Sequence, residues 1–343
     1  MNIPLQQTLA WQKLLQDLGH TTFFESKADY TFLADLKNTP VGNYLYVPYG
    51  PYATSKTGFK KAYDSLLKLA RKHDAIFIRV EPQLSVSASL LKTLKAKKSH
   101  DLNPADTWIL DLTGDDDSFK QRLPKRLLRY HRGATKKGIV IHTSKNPTDI
   151  HYLVDLQRKL ADKKNIGVFS EKYLATELQQ GFATLYTVEL LDKTEFGEEY
   201  KRSATGESHS DSPRVTLETN SVLSNNSTKI LAAGLVFDDE STRYNLQGAQ
   251  SPEGAHLHAT GILTIQLILD AREKGLSSFD FWGIAPDGAP KDHSWAGFTQ
   301  FKKSFDGSPL HYCGTWDIVC NSPKYHLYQT LRKANRIKRK ILK

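Results

Sequence analysis

One local pattern occurs twice in this chain and limits the fold more than any other feature. A strand-like segment ends in a glycine-containing corner, an amphipathic helix follows, and a second strand-like segment with a polar end closes the unit. The first copy is YLYVPYGP, a helix over 58–72 and AIFIRVEP; the second is YNLQGAQS, a helix over 258–274 and SFDFWGI. Repetition of a strand–helix–strand unit predicts two similar domains. A length of 343 residues with 39% apolar content supplies side chains for two ordinary cores.

Hydrophobic periodicity predicts strands near 44–47, 75–80, 108–112, 139–142, 184–190, 231–237, 244–248 and 278–284. Helical patterns lie near 8–18, 58–72, 149–161, 171–180, 258–274 and 323–337. Strands and helices interleave throughout, so the class is α/β or α+β. Between 191 and 230, 17 of 40 residues are Ser, Thr or Glu without a sustained apolar period, which predicts a mobile loop or hairpin insertion.

Charge narrows the choice of partners. The 47 Lys and Arg exceed the 37 Asp and Glu by 10, which implies an anionic partner such as nucleic acid, a phosphorylated substrate or an anionic membrane. Residues 120–145 hold nine Lys or Arg and no acid, and the last twelve residues hold seven more with none. LPKRLLRYHRGATKKG opens as a helix with Pro in its first turn and closes at Gly138. At helical spacing Leu123, Leu127, Tyr130 and Ala134 share one face, while Lys125, Arg126, Arg129, Arg132 and Lys136 form a cationic stripe on the other.

Several function classes are excluded by motif. The chain contains no Walker A loop, HExxH, GxSxG or CxxC pair. SPEGAHLHATG is too sparse in glycine for the pyrophosphate cradle of an acyl-CoA acetyltransferase. Cys313 and Cys320 fit no metal or redox spacing and are expected to be structural; no metal site is expected. No apolar run approaches 18 residues and MNIPLQQTLAWQKLL lacks the features of a secretory signal, so the expected compartment is the cytoplasm.

The most site-like stretch is FDFWGIAPDGAPKDHSWAGFTQFKKSFDG, residues 279–307. It joins a buried-strand pattern, a long polar loop and a lysine between aromatics. Asp292 and His293 are neighbours on an extended loop, where adjacent side chains point apart, so a polar loop is favoured over a catalytic dyad. Attention moves to the lysines.

YLYVPYGP, LPKRLLRYHRGATKKGIVIH and above all FDFWGI followed after a loop by GFTQFKKSF resemble the Fem-type (FemABX) peptidoglycan aminoacyltransferases. The resemblance runs over most of the chain and is strongest in its final hundred residues. It implies two tandem acetyltransferase-like (GNAT-like) domains, with a C-terminal helix returning to the first domain; the coiled-coil arm of the longer family members has no heptad counterpart in this sequence, so no such arm is expected. The boundaries then expected are 1–146 plus 318–343 for the first domain and 147–317 for the second. The implied activity is transfer of an amino acid from aminoacyl-tRNA to a stem-peptide amine of a UDP-linked or lipid-linked muropeptide, without a cofactor. A peripheral contact with the inner membrane face completes the expected partners.

Carried over by position, the resemblance makes Lys302 the required lysine of the Phe-Lys pair, with Phe301 before it. A fixed ammonium stabilises the oxyanion of ester aminolysis or a neighbouring phosphate. Core packing remains the stronger reading for Phe301 and Phe305. Glu81 matches an acidic position near the acceptor amine, with a capped strand end as its competing reading. Tyr173 matches a tyrosine at the acceptor site, but Phe169 stands where a relative has arginine. Lys164, Lys163 or the stripe at Arg129, Arg132 and Lys136 is expected to supply the missing phosphate contact; Tyr244 and Trp282 complete the expected substrate-binding set. Leu33 and Ala34 follow Tyr30 where a lysine is expected, and Leu246 replaces a tyrosine, so the acceptor pocket departs from the pattern. Two alternatives stay open: an acyltransferase of this architecture acting on another amine, and an inactive protein binding RNA or a membrane surface.

Overall fold

The computed structural model describes residues 3–83, 88–164, 168–191, 216–218 and 229–341. The chain divides into two compact units, Met1–Asp106 with Leu310–Lys343, and Thr107–Pro309.

In the first unit β1 (Thr21–Ser26), β2 (Tyr30–Thr39) and β3 (Gly42–Val47) form an antiparallel meander. Helix α2 (Lys56–Lys72), which follows α1 (Leu9–Asp17), then crosses the sheet and delivers β5 (Ala75–Val80) parallel to β3. The order is β1-β2-β3-β5-β15-β6, where β6 is Lys97–Lys98 and β15 is Trp316–Val319; β4 (Tyr52–Ala53) pairs with β2. Ser55 caps α2 by accepting from the Gly58 N–H, and Phe59, Ala62, Leu66 and Ala70 form its buried face. They pack with Leu45, Val47, Ile78 and Val80.

All six residues of β5 are buried, because its other face is covered too. There Phe77 meets Tyr325 and Tyr328 of the C-terminal helix Ser322–Ile341, so that helix does return to the first unit. Under it, Arg79 pairs with Asp317 through two bonds of 2.7 and 2.8 Å, and the Tyr325 hydroxyl donates to Asp317. Both charges are almost wholly buried. Asp317→Ala would leave the guanidinium buried without its counter-ion, and we expect a loss of about 3–5 kcal/mol in urea unfolding of this unit. A loss below about 1 kcal/mol would show that water or a neighbour replaces the carboxylate.

The second unit repeats the scheme. Its sheet has the order β10-β8-β9-β11-β12-β13-β7-β14. These strands are β7 (Asp106–Asp111), β8 (Ile139–Ser144), β9 (Ala183–Leu190), β10 (Thr216–Glu218), β11 (Lys229–Asp238), β12 (Thr242–Gln250), β13 (Ser278–Gly283) and β14 (Ser308–His311). β12 and β13 are parallel and are joined through the helix Ala259–Glu273, the counterpart of β3, α2 and β5. The repeated sequence pattern is therefore one parallel β–α–β unit in each sheet. The core holds Leu110, Ile141, Val188, Ile265, Phe279, Phe281 and Phe305.

Backbone pairing sets the boundaries differently from the expected 146/147 and 317/318. β7 pairs with β13 and β8 with β9, so 107–146 belongs to the second unit; Leu310 onward belongs to the first, where β15 pairs with β5. β9 and β11 pair antiparallel from Leu190↔Lys229 onward, and β10 from the tract between them pairs parallel with β8. The expectation that this tract is mobile concerns 192–215 and 219–228, which lie outside the described residues. The helix expected to run to Gly138 stops earlier, at Lys125–Arg132, with Gly133 as its C-cap and a 3₁₀ turn at Thr135–Lys137. No helix among the described residues is long and apolar enough to cross a membrane.

Candidate active site

The site begins with a fault in the β7–β13 ladder. Asp280 lies opposite Ile109 and Gly283 opposite Thr107, so β13 carries one residue more than its partner between these pairs. The extra length is taken up at Trp282, which adopts a left-handed φ of 65°. The Trp282 N–H donates to the Asp280 carboxylate at 2.7 Å, which holds the bulge. Just beyond it, the Gly283 carbonyl accepts a 2.6 Å bond from Lys302 Nζ.

Lys302 comes from the helix Ala296–Lys303, an element not read from the Phe-Lys run alone. Thr299 ties this helix to the strand end by accepting from the Ala285 N–H at 2.8 Å. Phe301 sits edge-on to Phe305, and Phe305 is fully buried against Phe281. Phe301 therefore packs against the core and orients the helix, the reading favoured for it over direct chemistry. Lys303 turns the other way, toward Asp287 and the Trp108 ring.

Lys302 is half-buried, and its ammonium lies 5.1 Å from the centre of the Phe298 ring. Burial pulls its pKa down to about 8, while the Asp280 charge works against that fall. Burial pushes the Asp280 carboxyl up to about 7, opposed by the Trp282 N–H, the Lys302 charge and the Thr107 hydroxyl. Both groups thus titrate near neutrality, as groups with chemical work often do. Asp280 was not singled out in the sequence. A lone Asp inside an apolar strand pattern was the available signal, because a buried carboxylate needs a partner.

Glu81 is in the first unit, 2% exposed, where Oε2 accepts from Tyr46 and Asn103 and Oε1 from Thr315 and the Asn103 N–H. Both oxygens are engaged in holding the end of β5, the competing reading for this residue. Tyr244, expected to bind substrate, is buried and its hydroxyl donates to Asp239. Tyr173 stacks on Phe169 with ring centres 5.0 Å apart, and burial raises its phenol pKa far above the usual range. Beside it, burial lifts the Glu177 carboxyl to about 8. Arg129, Arg132 and Lys136 are exposed as the stripe predicted; the side chain of Lys164 lies outside the described residues. Asp292 and His293 form no dyad: the His293 ring accepts from the Trp295 N–H within a local turn. Among the described residues no group of three or more His, Cys, Asp or Glu is placed to hold a metal.

Fold and site together define two α/β units that each carry a parallel β–α–β unit, with a helix-borne lysine anchored at a strand end in the second. The FemAB family model matches residues 174–333, which contain Asp280, Trp282, Gly283 and Lys302. A segment of 81 residues is 33% identical to the aminoacyltransferase FemA of Staphylococcus epidermidis, covering 23% of this chain and only 19% of the relative's length. The lipid II:glycine glycyltransferase of Staphylococcus aureus is 22% identical over 328 residues, 81% of this chain and 77% of the relative. Among solved structures, FemX superposes with a TM-score of 0.73 at 18% identity, covering 95% of this chain and 94% of FemX. L-PGS from Bacillus licheniformis gives 0.53 at 14% identity, with 98% and 99% covered. These likenesses agree with the resemblance carried by FDFWGI and GFTQFKKSF.

Proposed function

We propose that this chain is an aminoacyltransferase that moves an amino acid from aminoacyl-tRNA to the stem-peptide amine of a peptidoglycan precursor. The observation that carries this reading is the anchored lysine at the β13 bulge, inside the segment matched by the family model. The acceptor nitrogen attacks the ester carbonyl, the C–N bond forms and the C–O bond to the ribose breaks. The amine proton ends on the released ribose oxygen. Negative charge develops on the carbonyl oxygen and then on the leaving oxygen, and a pre-positioned ammonium stabilises both. Lys302 is fixed for this by Gly283, and Asp280 favours its charged form.

A lipid-linked acceptor is supported by the glycyltransferase relatives, whose names specify lipid II. It is also supported by Leu327 and Leu331, exposed one turn apart on the C-terminal helix, which suit a peripheral contact with a membrane surface. A mixed pool of radiolabelled aminoacyl-tRNAs incubated with lipid-linked and UDP-linked muropeptide tests donor and acceptor together. Label is expected on the lipid-linked acceptor. Label on neither, with stable charged tRNA throughout, would overturn the enzymatic reading.

A further inference from the structure

The surface of the second unit holds a cationic cluster that the chemistry at Lys302 does not use. Tyr130 of the helix Lys125–Arg132 lies flat against His258, with ring centres 4.2 Å apart and planes 11° from parallel. Three cations lie over the Tyr130 ring: Arg126 at 5.4 Å, Arg129 at 5.7 Å and Lys137 at 6.0 Å. Arg126 Nε also donates to the Tyr130 hydroxyl at 2.8 Å.

The arrangement is constrained from beneath. His258 adopts a left-handed φ of 59°, a conformation that non-glycine residues keep only where the surroundings impose it. Gly261 lets the two helices close: a Cβ there would come within 2.7 Å of Leu127. On the buried side His131 and Gln266 join the same helices by a 2.6 Å hydrogen bond. The outer arginines of neighbouring helices have carboxylate partners, Arg122 with Asp111 and Arg272 with Asp116. Arg126, Arg129 and Lys137 are exposed and have none among the described residues. Like charges gathered on one ring repel unless an anion joins them.

We infer that this cluster is a binding surface for the phosphodiester backbone of RNA, with the Tyr130–His258 pair as its aromatic centre. The inference rests on the RNA donor proposed above and locates where that donor is held. Two forked guanidiniums and an ammonium match several separate phosphate groups, and an aromatic pair among them suits an unpaired base. Burial and the neighbouring Arg126 and Lys137 charges lower the His258 pKa.

The test uses the full chain and uncharged, fluorescently labelled tRNA, titrated over a range of salt. In Arg126→Ala/Arg129→Ala/Lys137→Ala the Kd is expected to rise at least tenfold, and the slope of log K against log salt to fall by about 2–3. Tyr130→Leu should weaken binding by about fivefold or more with little change in slope. Lys60→Ala/Lys68→Ala/Lys72→Ala removes the same charge from exposed positions of α2 and should change Kd by less than threefold. Unchanged affinity and slope in the first triple variant would overturn the inference while leaving the donor reading intact. Equal losses in both triple variants would also overturn it, as an effect of net charge alone. Lost affinity for UDP-linked muropeptide with tRNA binding intact would reassign the surface to the acceptor diphosphate. Absence of tRNA binding by the unaltered protein would sink both the inference and the donor reading.

Discussion

Lys302→Met is expected to lower kcat/KM for aminoacyl transfer by about 10²–10³-fold, the usual consequence of removing one pre-positioned donor to a developing oxyanion. Methionine keeps much of the apolar stem, while the ammonium, its cation–π contact with Phe298 and its bond to Gly283 are lost. Single-turnover transfer from charged tRNA is the direct measurement, with tRNA binding followed in parallel. Binding should be nearly unchanged, because the phosphate surface at Arg126, Arg129 and Lys137 is a separate cluster. Transfer within threefold of the unaltered enzyme would remove Lys302 from the mechanism. A variant that loses transfer and thermal stability together would be compared with Phe298→Leu, which disturbs packing around the lysine without removing its charge.

The second large effect is on pH dependence. If the ammonium is the active form, transfer falls as pH rises through the Lys302 pKa of about 8, by about tenfold per unit once the lysine is neutral. The sign for Asp280 follows from its charge. A carboxylate near an ammonium raises the lysine's pKa, so Asp280→Asn lowers it and moves the alkaline limb of kcat/KM toward lower pH. Asparagine keeps an acceptor for the Trp282 N–H, so the bulge is retained while the charge is lost. A purely structural Asp280 would scale the whole profile down without moving its limb. An unmoved limb in Asp280→Asn, with Lys302→Met inactive, would leave the lysine in place and remove Asp280 from the mechanism.

Much of the fold was legible because it depends on local pattern. Phe59, Ala62, Leu66 and Ala70 announce α2 by helical spacing, and AIFIRV reads as a strand buried on both faces. TTFFES and YTFLADLKNT, by contrast, lack a sustained two-residue alternation, and β1 and β2 appear only once the sheet assembles. The domain boundaries were misplaced for a related reason. β7 and β15 each follow one unit in sequence and pair with the sheet of the other, and strand pairing across such distances leaves no local signal.

The sequence by itself determined that two strand–helix–strand units recur, that a Phe-Lys segment follows the second, and that a helix beginning at Lys125 turns its cations outward. These depend on periodicity and residue type, which short stretches of chain carry. Only the tertiary structure decided that Asp280 lies near enough to Lys302 to favour its charge, that Glu81 has both oxygens engaged, and that His258 completes the surface at Tyr130. In each case the partners are far apart in sequence, or are brought together by a bulge and a left-handed residue. For Asp280 and Lys302 burial then shifts the pKa, and burial belongs to the folded chain.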